Sequence, residues 1–543
     1  MTIGASAQTN PPAPPQIERL PQPTPSILPV QPAPLTSPPE VPSSPQVPTT
    51  ERIKVLRYEV SGSTVFSPLE LAQATQPFTG EISFDRIQAA KMAIERLYLD
   101  RHYLTTGAYI PTGQTLSIDG AVVKIQIVEG KLENIRVTGT QRLDPNYVQS
   151  RLALATQQPL NNDRLIEGLR LLQQDPLIES IAAELSSGIQ LGTNLLEIKV
   201  KERNSFTSEI AIDNHRPPSI GSWQRRAQIN QANLTGAGDR LILAYSNTDG
   251  SNGIDTSYTV PLNATQTTLG VNIGGTNSQI VEEPYRSLDL TTKSRYYEVS
   301  LRQPLLRRAG ADSTQEFGLS LTASKLESTS ALGNTPYPLS RGADDNGRTS
   351  VSALRFGQEY LARDNRSVLT LRSQVSVGLN ALNATINSNA PDGRFVSWQG
   401  QGRWLKQLAP QTDLIVQGRV QLADRSLVSL EQFAIGGQNT VRGYRQDALL
   451  ADNGAFASVE LQLPLSNWGN LQVTPFIDAG TVWGNASSGG ANGNTLLSTG
   501  LGLQWRNDDL SARIDWGIPL VNAATRRNSW QDNGLYFSVR YFP

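Results

Sequence analysis

Cysteine is absent from the chain, and histidine occurs only twice, as His102 and His215. Without thiols there is no disulfide framework, no Cys–zinc or iron–sulfur site and no cysteine nucleophile. Two histidines leave little for a metal site or a histidine relay, and both are expected at the surface. No G-x-S-x-G elbow, H-E-x-x-H pair or P-loop occurs, so neither an enzyme nor a cofactor is expected. A dominant charge sign is missing too: 47 Lys+Arg stand against 48 Asp+Glu in 543 residues. A nucleic-acid binder would carry a basic excess, so nucleic acid is not an expected partner. Apolar residues make up 38% of the chain. No run of them approaches the roughly 18 that a transmembrane helix needs. That excludes a helical membrane protein and leaves open a β-barrel, whose membrane signal is alternation along strands.

What is present falls into blocks. Fifteen of the 34 prolines lie between Pro11 and Pro48. Proline locks the backbone and removes a donor, so this stretch favours extended geometry and cannot build a core. Residues 1–50 therefore read as a tether. Ala5-Ser6-Ala7 resembles a leader-cleavage site.

Residues 51–203 carry an internal repeat. Ile53–Val60 alternates as a strand and ends in Val60-Ser61-Gly62-Ser63. Phe84, Ile87, Ala90, Ile94 and Leu97 then follow at helical spacing, which makes one apolar face. Val122–Val128 is a strand, and Glu129-Gly130 closes the unit. The plan restarts with Val137-Thr138-Gly139-Thr140, helical patterns at Tyr147–Leu154 and Leu165–Leu172, and strands near Ile181–Leu185 and Leu195–Val200. The two V-x-G-[ST] signatures stand 77 residues apart. Each half reads as a β-α-α-β-β unit, 51–130 and 131–203, with one sheet face buried under two helices.

From residue 204 to 543 the pattern is strands and turns only, with sixteen candidate strands from 206–214 to 533–542. In the last three, Leu501, Leu503, Ile514, Trp516, Phe537 and Val539 share one side. Gly502, Gln504, Arg513, Asp515, Ser538 and Arg540 share the other. Charged residues in mid-strand suit a wet lumen better than the solvent face of a sandwich. Connections after even-numbered strands are mostly short and those after odd-numbered strands mostly long, the asymmetry of outer-membrane barrels. An even count lets the first and last strands meet, and closure satisfies every backbone polar group in lipid. The fold class is thus mixed: two small β-α-α-β-β domains followed by a 16-stranded antiparallel transmembrane β-barrel.

Three local patterns then point to a family. Val441-Arg442-Gly443-Tyr444 lies in the long connection after the eleventh strand, and Phe476-Ile477-Asp478-Ala479-Gly480 lies on the thirteenth. Asn233-Leu234-Thr235-Gly236-Ala237-Gly238-Asp239 forms the turn after the second. With two repeats ahead of the barrel, residues 51–543 resemble the outer-membrane transporters of two-partner secretion. These are of ShlB/FhaC/HecB type within the Omp85 superfamily, and the repeats would be POTRA domains. The resemblance implies a loop-to-barrel lock in which Arg442 meets Asp478, with Val441, Gly443, Tyr444, Phe476 and Gly480 around them. Whether that pair braces the loop or latches it stays open. Asn233, Gly236, Gly238 and Asp239 would shape a periplasmic turn.

The resemblance also implies location and partners. The chain would sit as a monomer in the outer membrane of a Gram-negative-type bacterium, among its lipids, with the repeats in the periplasm. It would export a secreted, β-helical exoprotein received unfolded on the repeats. Pro543 stands where barrels of this kind usually end in an aromatic residue. The proline content of residues 1–50 argues against a long pore-plugging helix there. A barrel-assembly factor and a diffusion porin are the alternatives.

Overall fold

The computed structural model describes residues 52–114, 120–389, 391–465, 470–485, 494–522 and 529–543. The proline-rich segment 1–50, with Ala5-Ser6-Ala7, lies outside them. The described chain forms two compact units that part between Arg203 and Asn204. Among the described residues no helix is long and apolar enough to cross a membrane.

The first repeat comprises β1 (Arg52–Ser61), α1 (Pro68–Thr75), β2 (Gly80–Ser83), α2 (Phe84–Asp100), β3 (Gly107–Tyr109) and β4 (Ala121–Val128). Its sheet order is β2-β1-β4-β3. α1 starts at a capping box: the Ser67 hydroxyl accepts from Glu70 N, the Glu70 carboxylate accepts from Ser67 N, and Pro68 opens the first turn. α2 buries Ile87, Ala90, Ile94 and Tyr98 against Val55, Val123, Ile125 and Ile127. Phe84 departs from the expected apolar face. It occupies the first turn and stays exposed, and Tyr98 at the other end fills the core instead.

The second repeat comprises β5 (Lys131–Thr138), α3 (Pro145–Ala155), α4 (Asn162–Gln173), β6 (Ile178–Ser187) and β7 (Thr193–Glu202), with sheet order β5-β7-β6. Asp144 and Asn161 cap its two helices.

The repeated glycines have one physical cause. Gly62 has φ +89° and Gly139 φ +85°, a region that disfavours residues with a Cβ. A Cβ would lie 2.3 Å from the Ile127 carbonyl oxygen in the first repeat and 2.3 Å from that of Val200 in the second. Each following loop is then held by a carboxylate at the end of the last strand. Glu129 accepts from Thr64 N at 2.7 Å and Val65 N at 3.2 Å. Glu202 accepts from Gln141 N at 2.6 Å and Leu143 N at 2.9 Å. The signal for both was present as Ile125-x-Ile127-x-Glu129 and Ile198-x-Val200-x-Glu202.

The remaining strands are β8 (Phe206–Asp213), β9 (Gln224–Ala232), β10 (Arg240–Asn247), β11 (Ser251–Pro261), β12 (Thr268–Gln279), β13 (Leu290–Ala309) and β14 (Ser313–Leu332). A two-residue β15 (Thr335–Pro336) follows, then β16 (Arg348–Asp364), β17 (Ser367–Leu379), β18 (Val396–Ala409) and β19 (Thr412–Ala423). A small hairpin, β20 (Phe433–Ile435) and β21 (Leu449–Ala451), precedes β22 (Asn453–Pro464), β23 (Leu471–Trp483), β24 (Thr495–Arg506), β25 (Leu510–Pro519) and β26 (Leu535–Tyr541). Sixteen of these close an antiparallel barrel in which β26 pairs with β8, while β15 only extends the β14 edge. β13 and β14 run 20 residues each, about twice what the hydrocarbon layer requires.

The alternation places lipid and water on opposite sides of the wall. Leu501, Ile514, Trp516 and Ile518 are outward and exposed, whereas Asp515 between them is 1% exposed and faces in. His215 corrects the surface expectation. Its side chain is 16% exposed, beside Asp213, because the first outer connection packs against neighbouring turns, where Gly250 N donates to the Ile220 carbonyl at 3.0 Å and Val281 N to that of Ser219 at 2.8 Å. There Gln531 donates to the Arg216 carbonyl at 2.8 Å. His102 is exposed and pairs with Asp163 at 2.5 Å, joining the two repeats.

Candidate functional site inside the barrel

The inner wall of β22, β23 and β25 supplies one side of the site. Strand parity turns Phe456, Ser458 and Glu460 of β22, Phe476, Asp478 and Gly480 of β23, and Arg513 and Asp515 of β25 into the lumen. All of these except Arg513 are buried there. Register brings Ser458 opposite Asp478.

The other side is the connection that leaves β19 and folds back into the bore. Gly436 (φ +110°), Gly437 (φ +95°) and Gly443 (φ +92°) carry its sharp turns. A Cβ on Gly517 of the barrel wall would lie 2.4 Å from Gly443 N, so two glycines let the backbones touch. Val441 fits because Gly480 has no side chain: a Cβ there would stand 2.9 Å from Val441 Cγ2. Val441 and Tyr444 join Phe433, Ile435, Phe456, Val482 and Leu496 in an apolar cluster.

Arg442 reaches the wall from this loop. Its Nε donates to Asp478 Oδ2 at 2.7 Å and its Nη2 to Oδ1 at 2.9 Å, a bidentate fork. Its Nη1 donates to Glu460 Oε2 at 2.6 Å and lies 3.5 Å from Asp515 Oδ1. The guanidinium stacks 3.3 Å from the Phe476 ring centre. The Arg442 side chain is 5% exposed and that of Asp478 0%, so water screens the pair little. Arg513 completes the network, donating to Glu460 and to Asp515 at 2.7 Å each. The Tyr444 hydroxyl lies 2.8 Å from the carbonyl oxygens of Leu497 and Val521. Gly443 N donates to the Tyr536 hydroxyl at 3.1 Å. Arg445 pairs with Glu282 and with Asp532.

The structure thus brings together Val441, Arg442, Gly443, Tyr444, Phe476, Asp478 and Gly480. Sequence reasoning missed Glu460, Arg513, Asp515, Gly517 and Tyr536 as members. Arg513 and Asp515 already stood on the wet side of β25, but parity alone does not say which wall residues a loop will meet.

Asn233, Gly236, Gly238 and Asp239 form a separate turn between β9 and β10. The Asn233 side chain accepts from Gly238 N at 3.0 Å, with Asn233 itself at φ +56°. Asp239 accepts from Thr235 N at 2.9 Å and from the Tyr258 hydroxyl at 2.8 Å. Burial pushes the Asp239 carboxyl up, but these donors prevail and hold it below its ordinary value.

None of these groups is a nucleophile set beside a base. The arrangement binds and positions a loop. Residues 192–505, more than half the chain, match the family model of the haemolysin secretion/activation proteins ShlB, FhaC and HecB. The chain belongs to this family.

Residues 53–130 of this ShlB-type protein separately match the ShlB-type POTRA domain. It is 22% identical over 485 residues to the outer membrane transporter CdiB of Escherichia coli O6:K15:H31, covering 86% of this chain and 79% of the relative. It is 24% identical over 494 residues to the heme/hemopexin transporter protein HuxB of Haemophilus influenzae, covering 85% and 83%. Among solved structures, CdiB from Escherichia coli aligns with a TM-score of 0.68 at 18% identity over 94% of each chain. BamA from Haemophilus ducreyi aligns at 0.52 and 16% identity, covering 91% of this chain and 100% of that one, a likeness of fold. The ShlB-type protein is an outer-membrane transporter of two-partner secretion, with its POTRA domain in the periplasm.

Proposed function

We propose that this transporter receives one unfolded exoprotein in the periplasm and passes it through the barrel to the cell exterior, working as a monomer. What supports this best is a closed sixteen-strand barrel with a wet, charged inner wall, crossed by a loop fixed through Arg442. A barrel of sixteen strands has room for an extended chain.

The second repeat supports the receiving step. β6 is ten residues long, pairs only with β7 among the described residues, and lies at the sheet edge. It has no Lys or Pro to guard that edge, and Ile189 (95% exposed) and Leu191 (77%) stand at its hairpin tip. An extended polypeptide can add there as a strand through main-chain hydrogen bonds, which need no particular sequence. The edges of the first repeat are four and three residues long and offer less. Directionality needs no nucleotide: a cargo that folds outside, as a β-helix does, cannot diffuse back.

Deleting the gene and surveying the envelope tests the proposal. One secreted protein trapped in the periplasm is the expected result. Loss of many barrel proteins from the outer membrane would mean an assembly factor, and export of everything at normal levels would mean a porin.

A further inference from the structure

The connection between β19 and β22 touches the barrel in two places. Arg442 is fixed on β23, the thirteenth barrel strand, and Glu431 on β16, the eighth, so the segment spans the bore. At the β16 end Arg355 donates to both oxygens of Glu431, at 3.1 and 2.5 Å, with side chains 3% and 5% exposed. Ser324 and Ser376 accept two further Arg355 donors at 3.0 Å each.

The wall beneath this end is apolar. Leu326, Val351 and Ala353 face inward there, and with Tyr296 and Phe395 they enclose Leu427 and Val428. An apolar seat on the inner wall of a wet pore is accounted for by what covers it, as Phe456, Val482 and Leu496 are covered at the Arg442 end.

The two ends are unequally held. The Arg442 end has the bidentate pair, the Glu460 contact, the Tyr444 hydroxyl, Tyr536 and the Phe433–Val441 cluster. The Glu431 end has one ion pair, the Leu427–Val428 contact, a bond from Leu427 N to Asp452 at 2.8 Å and one from Gln421 Nε2 of β19 to the Glu431 carbonyl at 2.9 Å. The more weakly held end yields first.

We infer that residues 424–431 form a flap at the outer mouth of the pore. Arg355 and Glu431 are its positioning residues, and the flap lifts off β13, β14 and β16 while the Arg442 end stays seated. Lifting bares the inner wall and widens the bore without breaking the Arg442–Asp478 pair. The inference uses the pore reading but not the identity of what passes.

The test uses the purified full chain in planar lipid bilayers, with heat-modifiable migration as the check on folding. Arg355→Ala is expected to raise open probability by about tenfold or more, since it strands Glu431 in the closed seat. Asp392 and Leu427 are bridge partners across the flap edge. The chain has no cysteine of its own, so D392C/L427C gives a single closable pair. Oxidation of that pair should hold conductance at its floor in both the wild-type and the Arg355→Ala background, and reduction should restore it. The inference is overturned if Arg355→Ala conducts like wild type, or if oxidation leaves conductance unchanged. Should Arg355→Ala misfold, the cross-link in the wild-type background decides alone. Loss of secretion is not the readout, so a failed exporter reading would leave the result interpretable.

Discussion

Arg442 and Arg513 face three carboxylates, Glu460, Asp478 and Asp515, within one buried cluster. Removing Arg442 leaves three anions opposed by one cation, in a site that water barely reaches. Arg442→Ala should therefore cost about 3–5 kcal/mol. Asp478→Asn should cost less, because Glu460 still pairs with Arg442 and the amide keeps one acceptor. Arg442→Lys keeps the charge but not the fork and should fall between them. Thermal unfolding followed by heat-modifiable mobility would rank the three; equal midpoints for Arg442→Ala and Asp478→Asn would refute the argument. The Arg442–Asp478 meeting was legible because both sit in recognisable short patterns. Glu460 was not, since it lies in no motif and became a partner only when register set β22 beside β23. Arg355 and Glu431 were hidden for the same reason: 76 residues separate them, and nothing local marks either as half of a pair.

Within the repeats, one carboxylate after the last strand fastens the loop that follows the first. Burial pushes the Glu129 carboxyl up, but donors from Thr64, Tyr98 and Val65 outweigh it and hold the group below its ordinary value. The sign follows by linkage. A carboxyl depressed in the folded state contributes its full stability above its unfolded value of about 4.3 and loses it as pH falls through the lower folded value. Amide exchange at Thr64 and Val65 in the full chain should thus stay slow at neutral pH and quicken only well into the acid range. Glu129→Ala should make it fast throughout, at a cost of roughly 1.5–3 kcal/mol. Acid-insensitive protection of those two amides would contradict the account. At this scale much was readable. Alternation located all sixteen barrel strands to within a few residues, because a wall with lipid on one side and water on the other enforces period two. β2 was not foreseen, since four residues carry too little alternation to register. The packing around the His215 connection was not foreseen either, because it includes contacts made more than 300 residues away.

Closure of the barrel rests on its shortest ladder. β26 and β8 share four residue pairs, against seven between β25 and β26, eight between β8 and β9 and nineteen between β13 and β14. Beyond those four pairs the main chain adds one long bond, from Asn214 N to the Phe537 carbonyl at 3.3 Å, and a side chain supplies the rest. Asn214, 0% exposed, donates through Nδ2 to the Leu535 carbonyl at 2.9 Å and accepts through Oδ1 from Phe537 N at 2.8 Å. Its amide imitates the donor and acceptor of a missing strand residue, and Trp223 and Trp530 pack around the Phe537 ring beside it. Asn214→Ala deletes both bonds and leaves two main-chain groups of β26 without partners, a loss of about 1–3 kcal/mol for each buried group left unmade. Because a barrel opens where pairing is weakest, the loss should appear locally before it appears globally. Amides of β8 and β26 should exchange faster in Asn214→Ala while those of β13 and β14 keep their wild-type rates. Exchange that rises evenly around the barrel, or a β8–β26 seam no faster than wild type, would mean that the four ladder pairs close the cylinder without help.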